Sequence, residues 1–91
     1  MRVRVRSFAG FRHILGKERD VELAEGAGVG GLLEALCSAH AELCSLLFDQ
    51  GRLKEDVNIL ANGKNVAALQ GLETRLADGD EVALFPAAIG G

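Results

Sequence analysis

Val82-Ala83-Leu84-Phe85 is an apolar, β-compatible run that meets Pro86, the chain's single proline, with five residues still to come. Proline has no N–H to give to a sheet ladder, so pairing must stop there. The run therefore reads as a buried strand that ends in a free arm. Six residues from Pro86 to Gly91 span about 20 Å when extended, enough to enter a deep pocket on another protein. Gly90 and Gly91 carry no side chain, so the backbone around the final α-carboxylate could pass through a channel too narrow for a Cβ. A frayed end rich in glycine is the bland alternative, since termini are commonly disordered.

Before this strand, Leu76-Ala77-Asp78-Gly79-Asp80-Glu81 turns the chain into it, with Asp78-Gly79 at the corner. The rest reads in order as strands and one main helix. Met1, Val3 and Val5 alternate with Arg2, Arg4 and Arg6, which predicts a half-buried strand with a basic outer row. That row could face an acidic partner or simply be solvated. Phe8-Ala9-Gly10-Phe11 breaks the alternation, and His13 to Gly16 reads as a short irregular or one-turn connection. His13 has no second ligand nearby and reads as a surface residue. Arg19 to Leu23 alternates again, giving a second, antiparallel strand.

Val29, Leu32, Leu33 and Leu36 recur at helical spacing and predict an amphipathic helix. Its start is glycine-rich. Gly28 offers no side-chain oxygen as a cap, and Gly30 and Gly31 each cost about 0.5–1 kcal/mol relative to alanine, so the first turn is expected to be loose. These glycines lack the spacing and the lysine of a phosphate-binding loop, which leaves close packing of the helix onto the sheet as their role. Ala41 to Gln50, with Leu43, Leu46, Leu47 and Phe48, predicts a short second helix capping the core. Gly51 to Asp56 reads as a polar loop and Val57 to Ala61 as a strand. Asn62-Gly63 reads as a tight turn, because both residues accept positive φ. Lys64 to Ala67 returns as a short strand, and Leu72 and Leu76 are expected to tuck into the core.

Ninety-one residues, 48% hydrophobic and 25% charged, make one folded domain with no room for a cleft between domains, which argues against an autonomous enzyme. A net charge of −3 gives no global reason to expect nucleic acid. No apolar run reaches membrane-spanning length, and the arginine-bearing start lacks the hydrophobic stretch of a signal peptide, so the expected location is the cytoplasm, with no membrane partner. Cys37 and Cys44 would stay reduced there and read as small buried apolar residues, since no Cys-x-x-Cys or paired histidine accompanies them. No metal cluster, catalytic triad or paired-carboxylate cleft is visible. The Gly91 carboxylate is the one group left to which chemistry can be assigned.

The run Leu76 to Pro86 followed by Gly90-Gly91 resembles the ubiquitin-like sulfur carriers, above all the small subunit of molybdopterin synthase. It is also similar to the thiamine sulfur carrier and the small archaeal modifier proteins. Further points of resemblance are Phe8-Ala9-x-Phe11-Arg12, Leu32-Leu33-x-x-Leu36, Val57-Asn58-Ile59-Leu60 and Asn62-Gly63. The chain departs from the family at Gly28, where Thr or Ser is usual, and at Gly31, where a polar residue is usual. The resemblance implies an α+β β-grasp fold: a mixed four- to five-stranded sheet on one main helix plus a short helix, with the first and last strands parallel at its centre. On this reading residues 1–86 are the domain and 87–91 a flexible tail.

The resemblance further implies that Gly91, next to Gly90, is the reacting end. An E1-like adenylating enzyme would use ATP to activate its carboxylate, no cofactor being held stably by the chain itself. The large catalytic subunit of molybdopterin synthase would then receive the sulfur of a C-terminal thiocarboxylate. Conjugation of Gly91 to lysines, or sulfur donation to cysteine or thiamine synthesis, are the alternatives, and a plain interaction module is the reading without chemistry. Phe85, Pro86, Ala87, Ala88 and Ile89 are the expected partner-binding residues. If Phe85 lies partly outside the core, Phe11 or Ile59 would complete an apolar patch at the base of the arm.

Overall fold

The computed structural model describes residues 1–86. Strand β1 (Arg2–Ser7) pairs antiparallel with β2 (Glu18–Glu22), and between them lies a six-residue helix α1 (Gly10–Leu15). Helices α2 (Val29–Ala39) and α3 (Ala41–Leu47) follow, then β3 (Phe48–Asp49), β4 (Arg52–Leu53), β5 (Asn58–Ala61) and β6 (Lys64–Asn65). After two short 3-10 turns at Val66–Ala68 and Gly71–Glu73, the chain enters β7 (Glu81–Phe85). The main sheet has five strands in the order β2-β1-β7-β5-β6. Strand β7 pairs parallel with β1 on one side and antiparallel with β5 on the other. The expected mixed sheet, with first and last strands side by side and parallel, is the observed one.

Alternation explains the layering. Val3, Val5 and Ser7 of β1, Val82 and Leu84 of β7, and Ile59 and Ala61 of β5 all point inward. They meet Val29, Leu32, Leu33 and Leu36 of α2 in one buried cluster. Ser7 takes the third inward place on β1, and its buried Oγ has no hydrogen-bond partner among the described residues.

The Asp78-Gly79 corner sets the parallel register. Asp78 Oδ1 accepts from the Arg2 N–H at 2.7 Å, and Gly79 N–H donates to Arg2 O at 2.8 Å. Asp80 Oδ2 caps the Ala77 N–H, and its carbonyl accepts from Arg4 N–H at 2.9 Å. Gly79 sits at φ +87°, a conformation that favours glycine. At the other flank, Asn62 and Gly63 have φ of 50° and 83°, so the tight turn forms as expected. Asn62 Oδ1 accepts from Glu81 N–H, tying the turn to the start of β7.

Several expectations are corrected. The connection after β1 is the helix α1, whose Phe11 and Leu15, four apart, are both buried. The supposed polar loop at 51–56 contains β4, which pairs with β3 in a small hairpin, Phe48 facing Leu53. Its two turn residues, Gln50 and Gly51, have φ of 52° and 79°. Leu46 is exposed rather than buried, whereas Leu43 and Leu47 are in the core. The return strand after Gly63 is only two residues long before the first 3-10 turn takes over.

The glycines at the start of α2 pack against the connector before β7, not against the sheet. A Cβ on Gly28 would lie 2.9 Å from Thr74 O, and one on Gly30 would lie 3.2 Å from Leu72 O. The first turn is also anchored: Val29 N–H donates to Thr74 O at 2.9 Å, and Leu76 N–H to Ala27 O at 3.0 Å. Backbone from a distant segment replaces the missing side-chain cap, so the predicted looseness does not follow.

Candidate functional site

The site is built where β7 ends. Because β7 lies between β1 and β5, its backbone is paired with β1 up to Leu84 and with β5 up to Phe85, and Pro86 follows at the middle of the sheet. Within β7, Val82 and Leu84 are fully buried while Glu81, Ala83 and Phe85 are half-buried. Phe85 therefore belongs to the outer face of the sheet, which resolves an orientation that the apolar run Val82 to Phe85 left ambiguous.

Its neighbour there is Phe8. The register pairs Arg6 with Ala83 and Ser7 with Leu84, and Phe8 N–H donates to Leu84 O at 3.2 Å, so Phe8 arrives level with Phe85. The rings stack with centroids 4.2 Å apart and planes 8° from parallel. Two guanidinium groups complete the cluster. Arg6 Cζ lies 5.8 Å from the Phe8 centroid and Arg12 Cζ 5.3 Å, distances at which a cation is attracted to the ring face. Arg12 is held in place by donating through Nε to Ser7 O at 3.0 Å. Phe11 and Ile59, the residues expected to help Phe85, are instead core residues with almost no exposed surface. Phe8 is the partner that sequence reasoning missed, although Phe8 and Phe11 both stood in the quoted motif.

Beside this cluster, Pro86 lines a cavity of about 200 Å³ with Gly10, Phe11, Leu46, Lys54, Asp56 and Val57. The end of β7 thus presents an aromatic, arginine-flanked face and an adjacent hollow. Ala87, Ala88, Ile89, Gly90 and Gly91 lie outside the described residues.

The basic outer row of β1 is matched within the chain. Arg2 pairs with Glu22 at 3.1 Å, Arg4 with Asp20 at 3.6 Å and Glu18 at 3.8 Å, and Arg6 with Glu18 at 3.8 Å and Glu81 at 3.7 Å. These pairs are solvated and each contributes little to stability, about 0–1 kcal/mol. They do cancel the row's charge. The solvated reading therefore accounts for Arg2 and Arg4, while Arg6 reaches the aromatic cluster as well. His13 is exposed, as expected. The cysteines depart from expectation: Cys37 is half-buried and Cys44 exposed. Burial, followed by a hydrogen bond to Cys44, pushes the Cys37 thiol up to about 12. Among the described residues no group of three or more His, Cys, Asp or Glu is placed to hold a metal ion. No helix there is long and apolar enough to cross a membrane.

A five-stranded mixed sheet on one principal helix, with a proline-ended central strand, defines a ubiquitin-like β-grasp protein. The ThiS family matches residues 5–91, and the chain belongs to that family of ubiquitin-like sulfur carriers. It is 37% identical over 92 residues to small archaeal modifier protein 3 of Haloferax volcanii, covering all of both chains. Among solved structures, it superposes with a TM-score of 0.79 at 37% identity on a Pyrococcus furiosus protein assigned as molybdopterin converting factor subunit 1, covering 97% of this chain and 99% of that one. It also superposes with a TM-score of 0.78 at 32% identity on a chain of the BexX/CysO complex of Amycolatopsis orientalis, covering 98% of this chain and 99% of that one.

Proposed function

We propose that the α-carboxylate of Gly91 carries sulfur, and that molybdopterin synthesis is the pathway supplied. A carboxylate resists nucleophiles because it has no leaving group better than oxide. An E1-like partner would therefore transfer AMP from ATP to Gly91, releasing pyrophosphate, and a hydrosulfide equivalent would displace AMP to leave a C-terminal thiocarboxylate. That sulfur is a nucleophile, and the large subunit of a molybdopterin synthase would direct it onto the pterin precursor. The chain supplies the arm and its docking face. Catalytic groups belong to the partners.

The observation that carries this reading is the position of Pro86, at the end of a strand paired on both sides and next to the Phe8–Phe85 stack. An arm rooted there has a rigid origin and a partner-sized anchor beside it, with Phe85 and Pro86 as contacts and Ala87, Ala88 and Ile89 as the narrow run to Gly90 and Gly91. Aromatic residues of this kind commonly dominate interface energies. The likeness to the converting-factor subunit supports the choice of pathway.

A second reading has its own support. The full-length match to a small archaeal modifier protein favours conjugation of Gly91 to lysines, and the likeness to CysO favours a sulfur carrier for another pathway. Intact mass separates carrier from modifier. A carrier made alongside its activating system should include a population heavier by about 16 Da, the replacement of oxygen by sulfur at Gly91. Ladders of larger species that disappear when Gly91 is deleted, with no heavier monomer at any stage, would favour the modifier. Copurification with a pterin-binding subunit would distinguish molybdopterin synthesis from the other sulfur pathways.

A further inference from the structure

The arm contains one residue whose bulk the proposed chemistry does not use. After Pro86 the chain runs Ala87-Ala88-Ile89-Gly90-Gly91, and Ile89 alone carries a side chain larger than a methyl group. Passage through a narrow channel favours small residues, so an isoleucine two places before the end calls for a site of its own. The domain offers one. Pro86 itself lines the hollow of about 200 Å³ at the end of β7, together with Phe11 of α1, Leu46 of α3 and Val57. Backbone bonds hold its walls in place: Lys54 N–H donates to Leu47 O at 2.8 Å, Val57 N–H to Lys54 O at 3.1 Å, and Phe11 N–H to Phe8 O at 3.2 Å. Leu46 is 41% exposed, one of two large hydrophobic residues left so among the described residues.

Size and reach agree. A cavity of about 150 Å³ admits a six-carbon ring, so this hollow has room for the four carbons of one isoleucine side chain. The three residues from Pro86 to Ile89 span at most about 11 Å, and Pro86 is already part of the wall. So short a tether gives the side chain a high effective concentration at the hollow, and a contact too weak to recruit a free partner suffices within one chain. Lys54 and Asp56 add one charge of each sign to the lining, so the hollow does not select a charged occupant. We propose that in the chain alone Ile89 docks in this hollow against Leu46, Val57 and Pro86 and parks the arm on its own domain. A partner seated on Phe8 and Phe85 then has to draw Ile89 out before the terminal carboxylate can enter an active site. That consequence rests on Gly91 being the reacting end, whereas the docking itself does not.

The test is nuclear magnetic resonance of the full chain alone, with labelled isoleucine, leucine and valine methyl groups. The Ile89 methyl groups should show cross-relaxation to those of Leu46 and Val57. Leu46→Ser should abolish these cross-peaks and move the Ile89 resonances to the positions they take in a free peptide of residues 86–91. Ile89 resonances already at the peptide positions in the parent, with no cross-peak to Leu46 or Val57, would overturn the proposal. Cross-peaks that run between copies in an isotope-filtered mixture of labelled and unlabelled chains would overturn it too, since the occupant would then be a second molecule. The parent spectrum decides the matter even where Leu46→Ser fails to fold. Exchange of labelled pyrophosphate into ATP tests the reacting end separately. Docking without exchange would keep this proposal and remove the sulfur-carrier reading, and exchange without docking would do the reverse.

Discussion

Phe8 and Phe85 stack at 4.2 Å on the outer face of the sheet, joining the ends of β1 and β7 by side chains where their backbone pairing runs out. Each ring is half-buried, so both lose water on folding while keeping surface for a partner. A double-mutant cycle with Phe8→Ala and Phe85→Ala, read by urea unfolding, should give a coupling of about 0.5–1.5 kcal/mol. Phe85→Ala should also weaken binding of the activating partner by more than about 1 kcal/mol. A side chain wholly outside the packed structure would affect binding alone. Because of the stack, stability should fall too, and a coupling near zero would show that the rings act separately.

Ala9 holds φ 51° and ψ −128°, a conformation suited to glycine, immediately after Phe8 and at the start of α1. Holding a Cβ there costs about 1–3 kcal/mol, and a glycine would give back about 0.4–1 kcal/mol through the freedom of the unfolded chain. Ala9→Gly should therefore raise stability by about 1 kcal/mol, seen as a higher urea midpoint at unchanged slope. Loss of stability would show that Ala9 makes a contact worth more than its strain.

Gly28 and Gly31 stand three residues apart and should respond in opposite directions. A Cβ at Gly28 meets Thr74 O at 2.9 Å, a backbone atom that also accepts from Val29 N–H, so it cannot move aside without breaking that anchor. Gly28→Ala should cost about 1–3 kcal/mol, as overpacking does. At Gly31 the nearest atom is Ala27 Cβ at 3.6 Å, ordinary contact, and Gly31→Ala should stabilise by about 0.5–1 kcal/mol through helix propensity. Thermal melts of the two variants check both signs.

These contrasts mark what was legible in the sequence. The strands declared themselves because alternation fixes which face is buried, as at Val3 and Val5 against Arg2, Arg4 and Arg6. The corners at Asn62-Gly63 and Asp78-Gly79 did so because their chemistry is local. Helix α1 did not, since the six residues Gly10–Leu15 are too few to display a period, and only the Phe11 to Leu15 spacing hinted at it. The β3–β4 hairpin was hidden because Gln50 stands where asparagine usually marks such a turn. Phe8, the partner of Phe85, depends on register, which brings together residues 77 positions apart. Nothing in either local sequence encodes such a meeting.

The arm itself gives the last prediction. The buried core ends at Leu84 among the described residues, and β7 is complete at Phe85, so the fold has what it needs before the arm begins. Deleting Gly90-Gly91 should leave the unfolding free energy from urea titration within about 0.5 kcal/mol of the parent, as for surface changes that remove no packed group. Activation asks something different of the same residues. Adenylation needs the terminal carboxylate at a fixed reach from the docking face, and removing two residues withdraws it by about 7 Å. Exchange of labelled pyrophosphate into ATP, catalysed by the activating enzyme in the presence of this chain, should therefore fall to background. The double substitution Gly90→Ala with Gly91→Ala keeps the reach but adds Cβ atoms, and should retain binding while losing turnover if the channel is narrow. A truncated chain that still supports exchange would end the sulfur-carrier reading, because the carboxylate being activated would then not be that of Gly91.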